Sequence, residues 1–122
     1  MRRTMLVLLA ASCIGDAHAA EGEFRCKGSP EVIAPCYSVH GRLSAYNGTP
    51  GLRIWPVGTH RLLGVFPDEE PLALPSNIRN AVGFGKDIYG DFLVCPFAKQ
   101  EPGHMQFVCL QAASNVHVQT HP

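Results

Sequence analysis

Apolar positions along this chain fall in short runs at two-residue spacing, broken repeatedly by Gly and Pro. That pattern predicts strands throughout. No window of about 12 residues carries the sustained 3.6-residue stripe that an amphipathic helix needs. Residues 36–46 are the first strand, with Val39, Gly41, Leu43 and Ala45 alternating with His40, Arg42, Ser44 and Tyr46. Asn47-Gly48-Thr49-Pro50-Gly51 then turns the chain. Residues 52–57 and 60–66 read as a hairpin about Gly58-Thr59, because a glycine in the first loop position suits a type II′ turn. This pairing sets Val57 opposite His60, Trp55 opposite Leu62 and Ile54 opposite Leu63. Pro56 has no N–H to give, so its strand is unpaired or bulged on one side.

The connection 67–81 contains Pro67, Pro71 and Pro75 around a solvated acidic centre, Asp68-Glu69-Glu70. Its end, 76–81, has room for one helical turn capped by Ser76. Residues 91–97 are nearly continuously apolar, which predicts a central strand. Glu101-Pro102-Gly103-His104 turns the chain into a strand over 105–112, and a last short strand covers 116–118. Five to seven short strands with one long loop predict an all-β domain. The economical architecture is a small five-to-six-stranded antiparallel barrel (OB-like), which leaves little open edge; a disulfide-stapled sandwich is the alternative.

The N-terminus sets the compartment. Arg2 and Arg3 precede the apolar run Met5–Ile14 and the small-residue site Ala17-His18-Ala19. This is the build of a secretory signal peptide, 1–19, cleaved after Ala19 to leave a single β domain, 20–122. The expected location is periplasmic or secreted. Ala10-Ala11-Ser12-Cys13 also resembles a lipobox, so the alternative is a lipoprotein anchored at Cys13, the only route to a membrane read here. Removal of Arg2, Arg3 and Asp16 takes the formal net charge from 0 to about −1. A phosphate-neutralising surface needs clustered positive charge, so nucleic acid is not an expected partner.

Four cysteines stay in the mature chain: Cys26, Cys36, Cys95 and Cys109. They allow three pairings, and the local one, Cys26–Cys36 with Cys95–Cys109, is expected. With no C-x-x-C spacing and an oxidising compartment, these thiols read as disulfides rather than zinc ligands. His117 and His121 could clasp a metal on a helix, but the chain there reads extended, which separates them. No metal and no cofactor is expected. No Gly-x-Ser-x-Gly elbow and no phosphate loop is present. Asn47-Gly48-Thr49 matches a glycosylation sequon, yet reads better as a turn.

The segment His40-Gly41-Arg42-Leu43-Ser44-Ala45-Tyr46-Asn47-Gly48-Thr49-Pro50-Gly51-Leu52-Arg53-Ile54-Trp55-Pro56-Val57-Gly58-Thr59 resembles one shared by uncharacterised exported bacterial proteins. The runs 87–92 and 92–96 are similar too, so the resemblance covers about half the mature chain. It implies an exported bacterial single-domain protein and no particular activity.

Within that segment one register decides the chemistry. With Tyr46 opposite Leu52, Trp55 faces Leu43 and belongs to the core, which is the ordinary place for a lone Trp. Slipped by one, Trp55 faces Arg42 and Ser44 faces Arg53, and Arg42, Tyr46, Arg53 and Trp55 share one face. That face is a cation–π platform suited to a sugar, an anionic glycan or a peptide. The core register is the expectation; Arg42, Tyr46, Arg53, Trp55 and Arg61 are the ligand-binding candidates. The functional expectation is a non-enzymatic binding or interaction module of the cell envelope, whose partner is an envelope protein or glycan. Two alternatives remain. One is a small secreted hydrolase pairing His40 or His60 with Asp87 or Asp91. The other is a structural or inhibitor-like protein making contact through loop 67–81.

Overall fold

The computed structural model describes Cys26, residues 28–67 and residues 73–121. The leader 1–19, the cleavage point after Ala19, Cys13 and the acidic stretch Asp68-Glu69-Glu70 lie outside the described residues. Five strands form: β1 (Tyr37–Ala45), β2 (Leu52–Pro56), β3 (Leu63–Val65), β4 (Lys86–Pro96) and β5 (Gln106–Thr120). They close on themselves in the order β1-β2-β3-β5-β4. This single closed ring is the OB-like arrangement and not two stacked sheets. It is of mixed orientation, correcting the all-antiparallel expectation: β3 runs parallel to β5, with Leu63 opposite Gln106 and Val65 opposite Val108. A parallel pair needs a long crossover. The connection through 66–85 and β4 provides it.

The alternation in β1 holds, with Leu43 buried and His40 and Arg42 facing outward. β4 is central, as its apolarity predicts, pairing with both β1 and β5. It is longer than 91–97, because Ile88 and Gly90 continue the inward row behind polar Asp87 and Tyr89. The two strands expected over 105–112 and 116–118 are one 15-residue strand, β5. Two register shifts bend it around the ring. One of the skipped residues, Asn115, takes a positive φ of 51°. The core lies inside the ring, where Leu43, Ile54, Leu63, Ile88, Phe92, Val94, Val108 and Leu110 are essentially inaccessible. Ile78 joins this core from a turn over 76–81, in which Ile78 and Arg79 N–H donate to the Pro75 carbonyl and Ala81 N–H to the Ile78 carbonyl, rather than from a helical turn capped by Ser76.

The β2–β3 connection also departs from the expected two-residue hairpin. Ile54 does face Leu63, but on the loop side the ladder stops at that pair: Trp55–Leu62 and Val57–His60 do not form, and 57–62 is a six-residue loop. Thr59 N–H donates to the Pro56 carbonyl at 3.2 Å, which puts Gly58 at the third turn position with φ 83°. That is where a type II turn needs glycine.

The disulfides are Cys26–Cys109 and Cys36–Cys95, correcting the local pairing Cys26–Cys36 and Cys95–Cys109. Cys95 and Cys109 stand opposite each other across β4 and β5, so both sulfurs leave the same face of the ladder. Cys26 and residues 28–36 lie across that face. Ile33 N–H donates to the Pro96 carbonyl at 3.0 Å, and Cys26 N–H donates to Gln111 Oε1 at 2.7 Å. Each N-terminal cysteine thus meets one strand cysteine, and the bridges staple the segment to the ring. Two long-range disulfides suit an oxidising, extracytoplasmic compartment.

Candidate functional site

The slipped register is the one that forms: Arg42 pairs with Trp55, Ser44 with Arg53 and Ala45 with Leu52. This corrects the placement of Trp55 in the core. The reason is visible in β2 itself. Period-2 geometry puts Leu52 and Ile54 on one face and Arg53 and Trp55 on the other. Turning Leu52 and Ile54 inward gains about 1.5–3 kcal/mol for each. Turning Trp55 inward would take the Arg53 charge with it, at a cost of several kcal/mol. Leu52 and Ile54 are accordingly buried and Trp55 is half-buried on the outer face.

Register then aligns a row across four strands: Trp55 on β2, Arg42 on β1, Tyr89 on β4 and His117 on β5. The Arg42 guanidinium lies 5.0 Å from the Trp55 ring centroid. Partial burial works against its charge, but hydrogen bonds to Tyr89 and Tyr46, and the fields of Tyr46 and Asp87, outweigh this and hold its pKa above the ordinary value. Arg42 Nε is buried with no hydrogen-bond partner among the described residues. The indole is fixed at its edge, since Trp55 Nε1 donates to the Thr59 carbonyl at 2.8 Å. Thr59 is fixed in turn by its own hydroxyl, which donates to the Pro56 carbonyl at 2.7 Å.

A second cation–π pair flanks the first, with the Arg53 guanidinium 4.8 Å from the Tyr46 ring centroid. Arg53 Nε donates to the Pro50 carbonyl at 3.1 Å, and Tyr46 N–H donates to the Gly51 carbonyl at 2.7 Å. Arg53 therefore braces the 46–51 turn that presents Tyr46. Each such pair contributes about 0.5–1 kcal/mol at an exposed site. Arg61 comes from the β2–β3 loop and donates from Nη2 to Gln106 Oε1 at 3.1 Å. Gln106 is buried and held at both ends, accepting from Tyr37 Oη at 2.6 Å and donating to the Ala98 carbonyl at 3.0 Å. The Arg61 cation is thus anchored to a rigid base.

Four of the five sequence candidates, Arg42, Tyr46, Trp55 and Arg61, line one cavity of about 390 Å³, completed by residues of the 57–62 loop. Arg53 stands behind Tyr46 as a brace. Sequence reasoning missed Tyr89 and Gln106. Tyr89 alternates with Asp87 and Asp91 outside the buried Ile88 and Gly90, a signal available once 86–90 is read as strand. Gln106 had no signal, because its role depends on Arg61 and Tyr37 arriving from other elements.

The hydrolase candidates are arranged differently. His40 Nδ1 and Asp91 Oδ1 are 3.0 Å apart, but as a cross-strand pair whose side chains are 65% and 40% exposed. Asp91 also accepts from Asn115 Nδ2 at 2.9 Å; that bond, followed by the His40 contact, lowers its pKa. Ser44 Oγ donates to Asp87 Oδ1 at 2.6 Å, while His121 Nε2 lies 3.4 Å from Asp87 Oδ2. Here the carboxylate stands between hydroxyl and imidazole, whereas activation of a nucleophile needs the imidazole to take the hydroxyl proton. His60 lines the cavity next to Arg61. Among the described residues no group of three His, Cys, Asp or Glu side chains is placed to hold a metal ion.

No protein-family model, curated protein or solved structure matches this chain.

Proposed function

We propose that this protein is an exported binding module of the cell envelope, periplasmic or secreted, that captures an anionic envelope glycan on the Arg42–Trp55 face. The observation that carries the reading is the β1–β2 register, which sets Arg42 over Trp55 and Arg53 over Tyr46 on one outer face. Both guanidiniums are held before any ligand arrives, so little side-chain entropy is lost on binding. Aromatic faces flanked by fixed cations suit a sugar ring that carries a carboxylate. An exposed His–Asp pair and a carboxylate-centred Ser/Asp/His cluster do not build a hydrolytic site, so binding is preferred to hydrolysis.

The test is titration of the oxidised protein with oligogalacturonate, followed by Trp55 fluorescence. Saturable binding is expected. Arg42→Ala should weaken it by roughly 10- to 100-fold, as loss of a charged hydrogen bond of about 1.5–3 kcal/mol requires. Unchanged affinity in Arg42→Ala, with folding verified by circular dichroism, rejects this face as the site.

A further inference from the structure

We infer that the ligand is a chain of at least two sugar units, lying in one groove that runs from the Arg42–Trp55 cavity past Arg61 into the β4–β5 loop. This rests on the binding reading above and specifies its ligand. A second cavity, of about 570 Å³, lies between residues 60–62 and 100–106. It shares His60, Arg61 and Leu62 with the cavity beside Trp55, so the two adjoin. Each has the size of a small-ligand pocket. Arg61 stands at the junction, anchored by buried Gln106 through the 3.1 Å bond. One N–H of its guanidinium serves that bond, and the planar fork has five.

The two cavities differ in chemistry, and the difference selects the ligand class. The first offers aromatic faces and the Arg42 cation. The second mixes Gln100, Glu101 and His104 with Arg61. Its amide and carboxylate oxygens accept hydrogen bonds, which sugar hydroxyls can donate and phosphate oxygens cannot. Glu101 repels a phosphate backbone. A peptide adding as a strand would need free main-chain groups, yet β1, at the centre of the platform, is paired on both sides by β2 and β4. An oligosaccharide in which an acidic unit is linked to a neutral one meets both halves: its carboxylate meets Arg42 and its neutral unit presents hydroxyls to the loop.

The experiment is calorimetric titration of the oxidised full chain with glucuronate, with its disaccharide with N-acetylglucosamine, and with the tetrasaccharide that repeats this acidic–neutral pair. Wild-type affinity should rise at least tenfold from one unit to four. In Glu101→Ala/His104→Ala, both changes on exposed loop positions, the single unit should bind as in wild type and the tetramer at least tenfold more weakly. Affinity that is independent of length, or a tetramer unaffected by the double variant, overturns the extended groove while the platform reading stands. Failure of every oligomer to bind overturns the platform reading itself. Equal or tighter binding of a tetraglutamate or a tetrathymidylate overturns the assignment to a sugar.

Discussion

Removing the two disulfides should have calculable and non-additive effects on stability. The bridges are nested: Cys36–Cys95, with a sequence separation of 59, lies inside Cys26–Cys109, with a separation of 83. In the loop-entropy model each alone would stabilise by about 4–5 kcal/mol. With the inner bridge in place, the outer one restrains only the two short arms 26–36 and 95–109, and its added stabilisation falls to roughly 3.5 kcal/mol. By the same reasoning the inner bridge adds roughly 3 kcal/mol to the outer one. Cys26→Ala/Cys109→Ala should therefore lose about as much as Cys36→Ala/Cys95→Ala. The fourfold variant should lose about 8 kcal/mol, more than the sum of the two doubles, because each bridge alone closes a longer loop. That loss is comparable with the whole net stability of about 5–15 kcal/mol for a domain, so the fourfold variant should be unfolded or nearly so. Urea titration of the three variants measures the free energies, and peptide mapping without reduction reads the connectivity. A peptide joining Cys26 to Cys36 would refute the topology. Strict additivity of the two double variants would refute the nested-loop argument.

Three further outcomes follow from local geometry. A Cβ at Gly41 would stand 2.7 Å from Ile54 Cγ2 and 2.9 Å from the Trp55 carbonyl oxygen; Gly41→Ala should cost about 1–3 kcal/mol in urea titration and weaken ligand binding, because β2 must shift under Trp55. Asn115 holds a φ of 51° at the β5 bulge and donates to Asp91; Asn115→Gly and Asn115→Val both lose that bond, so the further cost of Val over Gly, about 1–2 kcal/mol read as the difference between the two melting temperatures, isolates the backbone conformation. The Asp91 carboxyl is held below its ordinary 3.8 by Asn115 and then His40; its stabilisation is complete above that ordinary value and is lost as pH falls through the lowered folded one. The melting-temperature advantage of wild type over Asp91→Asn should thus persist at neutral pH and vanish in strong acid, and a carboxyl NMR midpoint above 3.8 would contradict the assignment.

How much could be read beforehand varied with the kind of interaction. β1 was legible because its two faces differ at every second residue, from Val39 to Tyr46. The centrality of β4 was legible from its apolar run. The candidate residues were legible as a group, since Arg42, Tyr46, Arg53 and Trp55 share one face once a single register is chosen. Trp55 taken by itself favours the core register. Weighed together, Leu52 and Ile54 outbid it for the interior.

The chain by itself determined the all-β strand content and which arginines and aromatics were candidates for binding, because these follow from local periodicity and composition; it left a barrel and a sandwich both open. Only the tertiary structure decided which cysteines bond, that β3 runs parallel to β5, and that Gln106 anchors Arg61 at the junction of two cavities. Each of these depends on residues far apart in sequence becoming neighbours. Local pattern contains no term for that proximity, which closure of the ring supplies.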